Sequence, residues 1–230
     1  MFGLDARIAS FSNGTTLLLV LGVSVLLGLR HASDPDHLAA VTTLIASKRE
    51  NAARQAGRLG LAWGLGHASS LFVFGLPVVL YRAYLPEPVQ SAAETVVGGV
   101  IVLLAASLIV RWRRGFFDHD HGHPHGGVRT RTPWQAYAIG LVHGMGGTAG
   151  VGVLLLGSIR DHALAVAALG LFAVCTALSM ALLSTGFGMT LERGLARRSF
   201  APLAPVLGVA SLAFGVWYAL GAQGLVAYVF

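Results

Sequence analysis

With 230 residues, 55% of them hydrophobic and only 11% charged, the chain carries less than half of the roughly 25% charge of ordinary soluble domains, and a soluble globule is excluded. Its formal charge of +6 does not point to nucleic acid, because the basic residues lie between hydrophobic stretches rather than in a patch interleaved with aromatics. The single cysteine, Cys175, excludes an internal disulfide framework.

The opening MFGLDARIASFSNG lacks a basic stretch followed directly by a short apolar run and a small-residue cleavage site, so no removable signal peptide is expected. Six hydrophobic segments follow, at 15–46, 59–82, 94–112, 133–159, 163–191 and 201–229. A helix needs about 20 residues to cross a hydrocarbon core of about 30 Å, so the expected fold is an all-α polytopic membrane protein with about six transmembrane helices in one domain. The thirty glycines suit the close helix packing that lipid favours. Segment one would be about 48 Å long as a continuous helix, which predicts a break or a re-entrant portion near Pro35. Cys175 falls within segment five and reads as packing, with a soft metal ligand as the alternative.

Twelve of the sixteen Lys and Arg residues lie in or beside the connections after segments one, three and five, and only Arg7, Arg82 and Arg160 on the other side; Arg30 completes the sixteen. The positive-inside rule makes the richer side cytoplasmic and puts both termini outside, in a protein of the cytoplasmic (inner) membrane. The halves also echo one another. Gly28-Leu29-Arg30-His31 recurs 112 residues later as Gly140-Leu141-Val142-His143, and the same offset sets Trp63 opposite Cys175 and His67 opposite Ser179. Val97-Gly98-Gly99-Val100 loosely matches Leu207-Gly208-Val209. These matches predict two inverted three-helix repeats, 1–112 and 133–230, joined by a loop at 113–132, an arrangement that places a transporter's substrate site at the repeat interface.

Residues 30–37, RHASDPDH, put one cation, two histidines, two carboxylates and a proline inside an apolar segment. Charged side chains at the centre of a membrane helix cost about 3 kcal/mol each on insertion scales, so a functional site is the default reading. His31 with Asp34, and Asp34 with His37, are neighbours at a spacing of three. His31 and His37 stand about 120° apart on a regular helix, and reach one ion only if the backbone bends. Pro35 supplies a reason to bend. Neutral imidazoles suit nickel, cobalt, copper and zinc, and a proton relay is the competing use of His and Asp in a membrane. Arg30 is expected to pair with Asp34 or Asp36.

Two further histidines, His67 and His143, lie inside apolar segments, the latter before a glycine-rich stretch able to open the backbone toward a cavity. The loop between the halves holds His119, His121, His123 and His125 around Gly122 and Pro124, a composition suited to collecting metal rather than to forming the translocation site. No GxxxxGK[ST] sequence is present, so ATP coupling would need a partner chain.

His31, four intervening residues and Asp36-His37 resemble the HX4DH signature of the nickel/cobalt transporter family, and Leu65-Gly66-His67-Ala68-Ser69-Ser70 resembles its second signature. The better-known permeases of that family have eight helices, against six counted here. The stretch HGMGGTAGVG is closer to the urease-accessory branch of the nickel permease superfamily, whereas the His-rich loop resembles the nickel/cobalt efflux branch. The resemblance implies a secondary transporter of divalent transition metal, nickel first and cobalt second, with His31, Asp36, His37 and His67 as candidate ligands. Asp34 and His143 join that set as neighbours. Uptake is the expected direction, with efflux and a membrane-embedded metalloenzyme as alternatives. No permanently bound cofactor is expected; the expected partners are the ion, the lipid bilayer, a second copy of the chain or a cytoplasmic metallochaperone, and no nucleic acid.

Overall fold

The apolar segments fold as helices because a backbone in hydrocarbon must satisfy its own N–H and C=O groups. The computed structural model describes residues 14–45, 51–81, 86–114, 131–146, 153, 156, 159–192 and 195–227. Among them lie seven helices and no strand: α1 (Gly14–His31), α2 (Pro35–Ile45), α3 (Ala52–Tyr81), α4 (Glu87–Arg113), α5 (Pro133–His143), α6 (His162–Glu192) and α7 (Leu195–Ala222).

The break expected near Pro35 separates α1 from α2, and the two are bent by 50°. Its cause is local. Pro35 has no N–H to give to the preceding turn and disfavours helical geometry at Asp34, so α1 closes through short bonds from Ser33 N to Arg30 O (2.9 Å) and Asp34 N to His31 O (3.1 Å). Pro35 then opens α2 at the first helical position, where a missing N–H costs nothing.

Among the described residues four helical stretches, Ala52–Tyr81, Glu87–Arg113, His162–Thr190 and Leu203–Ala222, are long and apolar enough to cross a membrane, and the bent pair α1–α2 makes a fifth if taken as one span. Six were expected. The difference falls on 133–159, where α5 has only 11 residues, about 16 Å of helix. A capping box between Thr132 and Gln135 fixes its start, and the chain leaves it at Gly144, where the glycine-rich run begins. Beyond 146 only Val153, Leu156 and Ile159 of that segment are described, the first two buried. The second and third segments also begin differently from the hydropathy bounds: α3 starts at Ala52 and α4 at Glu87, so Arg54 and Arg58 ride on the first turns of a helix rather than in a loop.

Small residues set the packing. α3 lies against α6 and α5, α1 against α6, and α4 against α7. A Cβ on Gly28 of α1 would come within 2.8 Å of the Cys175 Cβ on α6, and one on Gly140 of α5 would collide with the Trp63 carbonyl on α3. Such close approaches replace the hydrophobic driving force that lipid does not supply between helices. The outward faces are apolar, with Leu18, Leu26, Val73, Leu103, Leu182 and Val206 exposed.

Candidate metal centre

The bend resolves the geometric difficulty of residues 30–37. His31 ends α1 and His37 stands in the first turn of α2, so the chain turns between them and their rings meet at 4.6 Å between centroids. His67, at the middle of α3, reaches the same point, 4.8 Å from His37 and 5.2 Å from His31. His143, the last residue of α5, brings a fourth ring 4.7 Å from His37. All four histidines are buried, as is Asp36.

Hydrogen bonds order the cluster. The carboxylate Oδ2 of Asp34 accepts from His31 Nδ1 at 3.0 Å, and Oδ1 of Asp36 accepts from His37 Nδ1 at 3.1 Å. With Nδ1 protonated, each of these rings turns a lone pair at Nε2 inward, the arrangement in which a carboxylate orients an imidazole for a metal. His37 Nε2 is buried with no hydrogen-bond partner. His31 Nε2 faces His67 Nε2 at 3.0 Å, so one of the two must carry the proton; with Nδ1 of His31 committed to Asp34, it is His67 Nε2, which leaves His67 Nδ1 bare and also unpartnered. Shifting that proton to Nδ1 of His67 frees a third inward lone pair without loss of a proton from the ring. Asp36 also accepts from His143 Nε2 at 3.0 Å through Oδ2, so one carboxylate couples two rings. It stands in the first turn of α2, where the helix dipole favours a negative charge.

Two sets of donors lie close enough to share an ion: His31, His37 and His67, and Asp36, His37 and His143, the chosen atoms of each set lying within 4.8 Å of one another. Ligands about 2.0–2.1 Å from a first-row ion cannot stand more than about 4.2 Å apart, so a small inward movement of the rings closes either set. His37 belongs to both. Three neutral imidazoles would leave the dication's charge to the two neighbouring carboxylates, which suits a low-dielectric interior. Arg30 pairs with Asp34 at 3.7 Å from an exposed position, at the edge of the cluster and outside its inner shell of donors.

All six residues singled out in the membrane, His31, Asp34, Asp36, His37, His67 and His143, are thus brought together. His119, His121, His123 and His125 lie outside the described residues. Two aromatic walls escape a search for polar motifs: Trp63, fully buried, lies 5.7 Å from both His37 and His143, and Phe172 lies 5.7 Å from His31. Trp63 has a signal in its position four residues before His67 on the same helical face. Phe172, on α6, has none.

Comparison with known proteins finds likenesses over the same stretch. Residues 17–123 match the family described as high-affinity nickel-transport protein, so the resemblance read from His31, Asp36, His37 and His67 holds across the part of the chain that carries them. Among individual relatives, the urease accessory protein UreH of Bacillus sp. (strain TB-90) is 26% identical over 212 residues, covering 88% of this chain and 91% of that protein. A high-affinity nickel transport protein of Cupriavidus necator is 33% identical over 103 residues, 45% of this chain but only 28% of that longer protein. No solved structure matches. The helices of membrane-crossing length make the chain an integral membrane protein, similar over part of its length to nickel-transport proteins.

Proposed function

We propose that this protein is a secondary transporter that takes up divalent nickel, with cobalt as a second cargo, through the His/Asp cluster at the break between α1 and α2. One observation carries the reading. Four imidazoles from four helices converge in a buried place, and two carboxylates hold two of them with Nε2 turned inward. Packing alone does not call for that order, because buried histidines pointed at one another without a cation leave polar atoms unsatisfied, as His37 Nε2 and His67 Nδ1 are. The likeness to nickel-transport protein sequences over 17–123 supports nickel as the ion. Imidazole with carboxylate is also a donor set on which nickel and cobalt are hard to separate.

The architecture in this reading is a pair of inverted repeats, 1–112 and 133–230, with the His-rich segment 113–132 between them collecting ions on the cytoplasmic side. Close contacts support the pairing. Gly28 approaches Cys175 as Gly140 approaches Trp63, and both pairs are related by 112 residues. Gly98 approaches Gly215 and Ala219, while Gly208 approaches Ala105 and Ile109; adding 110 to 98, 105 and 109 gives 208, 215 and 219. Contacts that exchange in this way are expected of two units related by a twofold axis. The cluster then lies between the units, in the cytoplasmic membrane with both termini outside, and a second copy or a cytoplasmic metallochaperone would receive the ion or share the assembly.

The test is nickel uptake in cells at equal expression of the parent and of His31→Ala and His37→Ala. Both variants are expected to fall to the background of cells without the protein; uptake equal to the parent's would refute the site. The same assay in inverted vesicles separates import from efflux.

A further inference from the structure

Among the described residues Glu94 is the one buried carboxylate that the His/Asp cluster does not use. It stands on α4, about 10 Å along the helix from its start at Glu87, in a stretch apolar enough to cross a membrane. Gln90 Nε2 donates to it at 3.0 Å from one turn earlier. An ionisable group held inside a membrane helix marks an ion or proton path by default, because an apolar residue would pack there at no such cost.

The position of Glu94 gives that path a direction. One turn further along the same buried face, Val97 packs so closely on Gly146 that a Cβ there would lie 2.9 Å from Val97 Cγ2 and 3.4 Å from the Tyr218 hydroxyl. Gly146 follows His143 by three residues. Ala39, two residues after His37, belongs to the same buried group as Val97 and Tyr218. The face of α4 that carries Glu94 is thus packed, one turn on, against the segments that bear the two histidines sharing Asp36. The surroundings of Glu94 are polar as well: Ser91 Oγ donates to Ala222 O, and Gln223 Nε2 donates to Thr95 Oγ1 at 2.7 Å, between the start of α4 and the end of α7.

We infer that Glu94 is a second cation station, which holds a hydrated divalent ion between the membrane face where α4 begins and the His/Asp cluster. The inference rests on the transport reading and extends it. A single carboxylate beside amide and hydroxyl groups attracts a dication while leaving most of its water in place, so binding is weak and exchange is fast. The imidazoles further in then replace water with nitrogen.

Nickel flux into proteoliposomes tests this with the parent, His37→Ala, Glu94→Gln, Glu94→Ala and Glu94→Asp, beside equilibrium nickel binding by the same purified proteins. Removing a focusing charge from a low-dielectric path lowers entry rates by about tenfold or more, so Glu94→Gln is expected to transport about tenfold more slowly at limiting nickel and much less slowly at saturation. Nickel binding at the His/Asp cluster should stay within about twofold of the parent's, since that charge acts on entry, and Glu94→Asp should recover part of the rate. Glu94→Gln transporting like the parent, or losing the cluster's nickel outright, would overturn the inference. A parent no faster than His37→Ala would instead overturn the transport reading itself.

Discussion

At the scale of single residues, Asp36 does more than add charge. Its two oxygens accept from His37 Nδ1 and from His143 Nε2, so both rings depend on it for orientation. An asparagine keeps one acceptor and turns an amide N–H toward the other ring, where a donor meets a donor. Loss of such an orienting carboxylate costs about 10–100-fold in metal affinity, and calorimetry of Asp36→Asn should read a loss in that range. Asp34→Asn should lose less, because Asp34 is partly exposed and orients only His31, a single acceptor that the asparagine carbonyl can replace. Equal losses, or none, would contradict this division of roles. The histidines are legible in the sequence because an ionisable group within an apolar run is conspicuous. Trp63 and Phe172 are not, because in such a run an aromatic side chain looks the same whether it lines a site or fills a core.

At the scale of elements, the break at Pro35 turns a spacing that is wrong on a straight helix into one that works. The proline makes the bend legible, but the direction of the bend depends on where α1 and α2 find partners, and no local pattern reports that. Replacing Pro35 by alanine lets the helix regain up to about 3 kcal/mol by running through the break. Pro35→Ala is therefore expected to weaken nickel binding by tenfold or more while every ligand remains, and calorimetry of the folded variant against the parent checks it. The paired glycines make a second prediction at this scale. Gly28→Val and Gly140→Val each force side-chain bulk onto the backbone or Cβ of a facing helix, and overpacking of this kind costs about 1–3 kcal/mol. Both should lower the thermal midpoint of the detergent-purified protein by similar amounts; a loss confined to one of them would argue against related halves.

At the scale of the whole molecule, hydropathy and charge give the all-helical membrane class and the placement of most spans. At 133–159 hydropathy does not register that α5 ends at His143, since glycines that end a helix are as inconspicuous in an apolar average as glycines that pack one. His143 lies outside the family match at 17–123; its place in an apolar run marks it in the sequence, and folding carries it to Asp36. Orientation remains a matter of charge. With Cys175 replaced by alanine, single cysteines placed at 84 and at 120 should react with a membrane-impermeant maleimide from opposite sides, 84 from outside and 120 from the cytoplasm. Labelling of both from one side would refute the predicted topology.

The central claim, that imidazoles gathered from four helices bind the transported ion, is tested most directly by titrating nickel into the purified protein and into its His37→Ala variant, since His37 is common to both donor sets. The parent is expected to bind nickel saturably, and the folded variant to lose that binding. Binding by His37→Ala that matches the parent in affinity and amount would contradict it.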